Sequence, residues 1–148
     1  MTTHPQKRNR YLLIILLLIL FAAVGYYFFT KDKKADLKNF KLQGQTEINA
    51  GTIVMKVWDY SAEDGDTIRV FFDGKLIADS LPLLYEPVKY KLGKLSGGEH
   101  WIGISSINDG MMGAASPHIN LSNGRDSFEL DIEAWKDSTA GSWKVIVK

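Results

Sequence analysis

Thr67-Ile68-Arg69-Val70-Phe71-Phe72-Asp73-Gly74-Lys75-Leu76-Ile77-Ala78 decides the fold class of this chain. Ile68, Val70 and Phe72 fall on one face of a two-residue period, while Thr67, Arg69 and Phe71 fall on the other, the pattern of a half-buried strand. Asp-Gly then joins this run to a second one. That dipeptide between two strands predicts a two-residue hairpin, because both central positions need positive φ. Upstream, Thr52 to Trp58 repeats the alternation with Ile53, Met55 and Val57 in step. Val88, Tyr90 and Leu92 follow, then Ile102 and Ile104 within Glu99 to Asn108, and a short run from His118 to Leu121 closed by Ser122-Asn123-Gly124. Ser127 to Ala134 sets Phe128, Leu130, Ile132 and Ala134 against Ser127, Glu129, Asp131 and Glu133. Trp143, Val145 and Val147 make the last strand. Seven to nine antiparallel strands in about 100 residues predict an all-β, immunoglobulin-like sandwich. No helix is expected after Phe29.

The 148 residues divide into four parts: a tail (1–10), an apolar segment (11–29), a lysine-rich linker (30–42) and the sandwich (43–148). Tyr11 to Phe29 holds nineteen residues without charge or proline. As a helix it would extend roughly 28 Å, close to the ~30 Å hydrocarbon core of a bilayer. Ala23 and Gly25 stand where a signal-peptide cleavage site would have its small residues. Against cleavage, the apolar character continues through Tyr26, Tyr27, Phe28 and Phe29; with Tyr11, these aromatics suit the two membrane interfaces. The expectation is therefore a retained single-pass signal-anchor. A ten-residue tail ahead of a long domain suggests a cytoplasmic N-terminus, placing the sandwich in the periplasm of a bacterium. The basic residues number three before the segment and five directly after it, so charge alone does not set this orientation.

Composition narrows the function. From Gln43 onward there are ten Lys/Arg against fifteen Asp/Glu, a net charge near −5, which argues against nucleic-acid binding. Zero cysteines exclude disulfides, thiolate metal sites and a cysteine nucleophile. The sequence has no G-x-S-x-G elbow, no H-E-x-x-H and no phosphate-cradling glycine loop, and His100 and His118 stand far apart. No enzyme is expected, and no cofactor beyond a metal ion.

Two constellations remain. Asp59-Tyr60-Ser61-Ala62-Glu63-Asp64-Gly65-Asp66 connects two strong strands, and up-and-down strands would bring Asn108, Asp109 and Gly110 to the same end. Asp59, Glu63, Asp64, Asp66 and Asp109 are thus candidate ligands for Ca²⁺, which takes six to eight oxygens. The spacing is not that of an EF-hand, and a tight turn held by Asp and Gly accounts for the same residues. The second constellation is apolar. Trp58, Phe71 and Ile146 lie off the core phase, and Met111 and Met112 sit in a glycine-rich loop. These are candidate contacts for a protein partner or, for the aromatics, a carbohydrate. Coverage by the linker is the alternative.

The run Val57-Trp58-Asp59 … Glu63-Asp64-Gly65-Asp66-Thr67-Ile68-Arg69-Val70 … Asp73-Gly74, with Trp101-Ile102-Gly103-Ile104 … Asn108-Asp109-Gly110, resembles uncharacterised secreted or envelope β-sandwich domains of bacteria. Those domains pair an EDGD turn with a later A-x-N-x-G loop. The likeness covers roughly residues 52–121. It departs after the second loop, where those domains continue Pro-Asn-Thr-Ala and this chain has Ala115-Ser116-Pro117-His118. The resemblance implies an envelope location and an immunoglobulin-like fold, and it brings no catalytic residues. The resulting expectation is a non-enzymatic, membrane-anchored binding, scaffold or accessory subunit of a membrane or envelope complex. The alternative is an extracytoplasmic module for Ca²⁺ or carbohydrate.

Overall fold

The computed structural model describes residues 12–23 and 34–148. They fall in two compact units, 1–33 and 34–148. In the first, residues 12–23 are helical. Among the described residues no helix is long and apolar enough to cross a membrane. The helix expected over 11–29 is thus described only over residues 12–23. Tyr11, Tyr26, Tyr27, Phe28 and Phe29, and the tail 1–10, lie outside the described residues.

The second unit carries nine strands: β1 (Lys41–Ile48), β2 (Gly51–Trp58), β3 (Asp66–Phe72), β4 (Lys75–Pro82), β5 (Val88–Leu95), β6 (Gly98–Asp109), β7 (His118–Ser122), β8 (Ser127–Asp131) and β9 (Gly141–Val147). They form a five-stranded sheet in the order β1-β9-β6-β3-β4 and a four-stranded sheet in the order β5-β2-β7-β8. All pairings are antiparallel except β1 with β9, which is parallel. The expected alternation fixes the core. Ile53, Met55 and Val57 from one sheet meet Ile68, Val70, Ile102, Ile104 and Val145 from the other, all essentially inaccessible to water. Burying each such side chain contributes roughly 1.5–3 kcal/mol relative to exposure. The Asp73-Gly74 hairpin forms as expected, with φ of 49° and 79°.

Three local readings change. Residues 34–42, expected as linker, belong to the sandwich unit: a 3₁₀ turn (Leu37–Asn39) buries Leu37, and β1 begins at Lys41. A Cβ on Gly103 would sit 2.6 Å from Leu37 Cδ2 and 3.0 Å from Phe40 Cε2, so the turn lies directly on β6. In β5 Tyr90 and Leu92 pack on the core as expected, but Val88, at the start of this edge strand, is exposed. The ladder with β2 slips between Ile53 and Val54, opposite Gly93 at φ 90°, so that Leu95 is the buried residue beyond it. β8 stops at Asp131; Leu130, Ile132 and Ala134 are buried, whereas Phe128, on this edge strand, is exposed.

Candidate functional site

The connection from β2 to β3 and the connection from β6 to β7 meet at one end of the sandwich. β3 pairs with β6 so that Asp66 faces Asp109, which sets both connections side by side. Asp59 closes β2, and its Oδ1 accepts the N–H groups of Ser61 (2.8 Å) and Ala62 (3.1 Å), forming the turn that its residue type favours. Asp64 reaches across the gap. Its Oδ2 accepts the N–H groups of Met111 (3.1 Å) and Met112 (2.7 Å), so one carboxylate fixes the opposite loop. Asp66, on the first residue of β3, points inward and is 5 % exposed; Asp59 is 4 % exposed. Oxygens of Asp59, Asp64 and Asp66 lie within 4.8 Å of one another. A pocket of about 130 Å³ opens over them, with Ser61, Met112 and Ser116 on its walls.

This grouping is electrostatically unbalanced. The Asp66 carboxyl is pushed up to about 6, first by burial and then by the charges of Asp64 and Asp59. The backbone N–H of Ser116 pulls the other way, while the neighbouring Asp64 side chain adds to the rise. When both are ionised neither can donate. Among the described residues, Asp64 Oδ1 and Asp66 Oδ1 are indeed buried without a hydrogen-bond partner.

The other two candidate ligands turn elsewhere. Glu63 Oε1 accepts the N–H of Tyr85 at 2.5 Å, tying the turn to the β4–β5 connection. Both oxygens of Asp109 receive the Lys136 N–H, at 2.7 and 2.9 Å, and Oδ1 also accepts the Ser106 hydroxyl. The five expected carboxylates therefore resolve into three that converge and two that serve the backbone of neighbouring loops.

The apolar candidates also separate. Phe71 meets Phe40 edge-on, with ring centroids 5.7 Å apart, so the turn ahead of β1 packs on it and leaves it half-buried. Ile146 is half-buried on the outer side of β9. Trp58 is half-buried on the outer face of the four-stranded sheet, edge-on to His118 at 4.5 Å. Met111 and Met112 are 86 % and 76 % exposed. Near them Trp135 approaches Gly113, and it too is largely exposed.

Both histidines have acidic partners that linear spacing hid. His118 Nδ1 lies 2.6 Å from Asp131 and Nε2 lies 3.6 Å from Glu129. His100 Nδ1 lies 2.7 Å from Asp73. Counting outward from the Ser122 to Ser127 turn puts His118 opposite Asp131, so the first pair was within reach of the sequence. Comparison of the chain with protein-family models, curated proteins and solved structures gives no match.

Proposed function

We propose that this chain is a non-enzymatic, membrane-anchored β-sandwich that serves as a binding or accessory subunit of a membrane or envelope complex. Residues 11–29 are its anchor in the cytoplasmic membrane, and the sandwich works on the extracytoplasmic side. The sandwich is immunoglobulin-like: β9, β6, β3 and β4 run in the G-F-C-C′ order of variable-type sheets, and β2 pairs with β5 as B does with E. The β7–β8 hairpin is an insertion in the chain between β6 and β9, the F and G strands of that order.

The observation that carries this reading is the Met111-Met112 tip. Two neighbouring apolar side chains are almost fully exposed, yet their backbone is held by the Asp64 carboxylate. A fixed apolar tip loses little conformational freedom on docking, and methionine adapts to irregular surfaces. The partner is a membrane or envelope protein with an apolar recess. The full chain, purified in mild detergent from its own cell, should carry a stoichiometric partner that the double variant Met111→Ser/Met112→Ser loses. A lone monodisperse monomer would count decisively against the proposal. The reading as a Ca²⁺-binding module is favoured by a separate observation, the converging carboxylates.

A further inference from the structure

We propose that Asp59, Asp64 and Asp66 form a divalent-cation site that selects Ca²⁺, at the end of the sandwich where the β2–β3 turn meets the β6–β7 loop. The carboxylates divide their labour. Two of them have one oxygen engaged by the surrounding loops: Asp59 Oδ1 by Ser61 and Ala62, and Asp64 Oδ2 by Met111 and Met112. One oxygen of each of the three lies within 4.8 Å of the others. Asp64 Oδ1 and Asp66 Oδ1 are buried with no partner among the described residues, and Asp66 itself is 95 % removed from solvent. A buried acceptor without a donor is costly, more so if charged, and a protein retains one only where something compensates.

The compensation fits a cation. Gly110 stands at φ 64°, and a Cβ there would lie 2.3 Å from Asp64 Oδ1 and 2.7 Å from Asp66 Oδ1. Any side chain at this position would press on the two oxygens that have no donor. The donor set is oxygen alone, which selects a hard ion. Three carboxylates set in and beside a loop suit Ca²⁺, which accepts six to eight oxygens in flexible geometry, better than Mg²⁺, which demands a near-ideal octahedron and gives up its waters reluctantly. Three carboxylates exceed the charge of one divalent ion by one, and the 130 Å³ pocket leaves room for water to complete the coordination shell. The site does not rest on the partner reading, since cation binding is read on the purified chain alone.

The test is calorimetric titration of Ca²⁺, and separately Mg²⁺, into the EDTA-stripped full chain in detergent, with thermal melts alongside. One Ca²⁺ per chain is expected, with Mg²⁺ bound at least about tenfold more weakly. Tm should rise by roughly 10 °C when free Ca²⁺ exceeds Kd a hundredfold. Asp66→Asn and Asp59→Asn should each abolish the heat, whereas Glu63→Gln and Asp109→Asn should keep it. No heat and no Tm shift at millimolar Ca²⁺ on the wild-type chain would end the proposal, whatever the variants do. Binding that survives Asp66→Asn but disappears in Glu63→Gln or Asp109→Asn would overturn the ligand assignment, and equal affinity for Mg²⁺ would overturn the choice of ion.

Discussion

Two acidic turns of this sandwich handle a carboxylate in opposite ways. In the turn between β7 and β8, Asp126 Oδ2 accepts from the Asn49 side chain (2.9 Å), the Asn123 side chain (3.0 Å) and the Asn49 N–H (3.3 Å). These donors, the Asn49 side chain foremost, hold its carboxyl below the usual range. In the turn between β2 and β3, Asp66 is buried beside two further acids, and its carboxyl is driven up to about 6. One turn supplies an anion with amides and is complete in itself. The other gathers anions and leaves two buried oxygens unserved. An acidic turn is therefore recognised as a ligand site by the donors it lacks, not by the number of acids it contains.

The largest expected difference lies in the glycines that shape the two turns. Gly110 and Gly124 both have positive φ, at 64° and 88°. A Cβ on Gly124 meets nothing within 4 Å, whereas one on Gly110 meets both unserved carboxylates. Gly124→Ala should cost only the backbone strain, about 1 kcal/mol. Gly110→Ala should cost about 2–3 kcal/mol, because the clash adds to the strain and Asp64 cannot yield without releasing Met111 and Met112. Urea denaturation of the two variants checks this. Equal losses would show that the space under Gly110 has no special tenant.

Charge removal should sharpen the contrast by reversing its sign. In chelator at neutral pH, Asp66→Asn should raise Tm by on the order of 5 °C, since it removes a buried charge facing two others. Asp126→Asn should lower it, because donors arranged for an anion lose their partner. The pH profiles follow from linkage. The folded-state carboxyl of Asp66 is raised from 3.8 to about 6, so the stability it contributes is complete below the unfolded value and is lost as pH climbs through about 6. Asp126 is lowered, so its contribution is present above the unfolded value and is lost as pH falls through the folded one. Melts across roughly pH 3 to 8 should show Asp66→Asn flattening the decline toward neutrality and Asp126→Asn flattening the decline toward acid. Profiles that move together would erase the distinction between the turns.

The same contrast explains what the sequence made legible. Ile53, Met55 and Val57, or Ile68, Val70 and Phe72, announce a buried face because the two-residue period is a local property, and the core followed it. β1 escaped notice because only Thr46 and Ile48 are buried along it, and its partner is the last strand of the chain. Phe71 was rightly placed off the core face. Its cover, Phe40, comes from a turn thirty-one residues earlier that no period announces. At the acidic pole the residue types were legible, and so was the meeting of the two loops. The direction of each carboxylate was not, since it depends on which backbone N–H groups the opposite loop presents.

Glu63 and Asp109 provide the smallest effect and the finest test of this distinction. By sequence they belong with Asp59, Asp64 and Asp66; by bonding they belong with Asp126, because each already has its donors. Glu63→Gln keeps a carbonyl oxygen able to accept from the Tyr85 N–H, so its stability should change by less than about 0.5 kcal/mol. Asp109→Asn keeps one acceptor for the Lys136 N–H and the Ser106 hydroxyl but loses an anionic one. It should cost on the order of 1 kcal/mol. Neither change should alter the affinity for Ca²⁺ by more than about threefold, the residual effect of a neighbouring charge screened by solvent. A tenfold loss in either variant would mean that carboxylate count, rather than the unserved oxygens, governs the pole, and the contrast with the Asp126 turn would collapse.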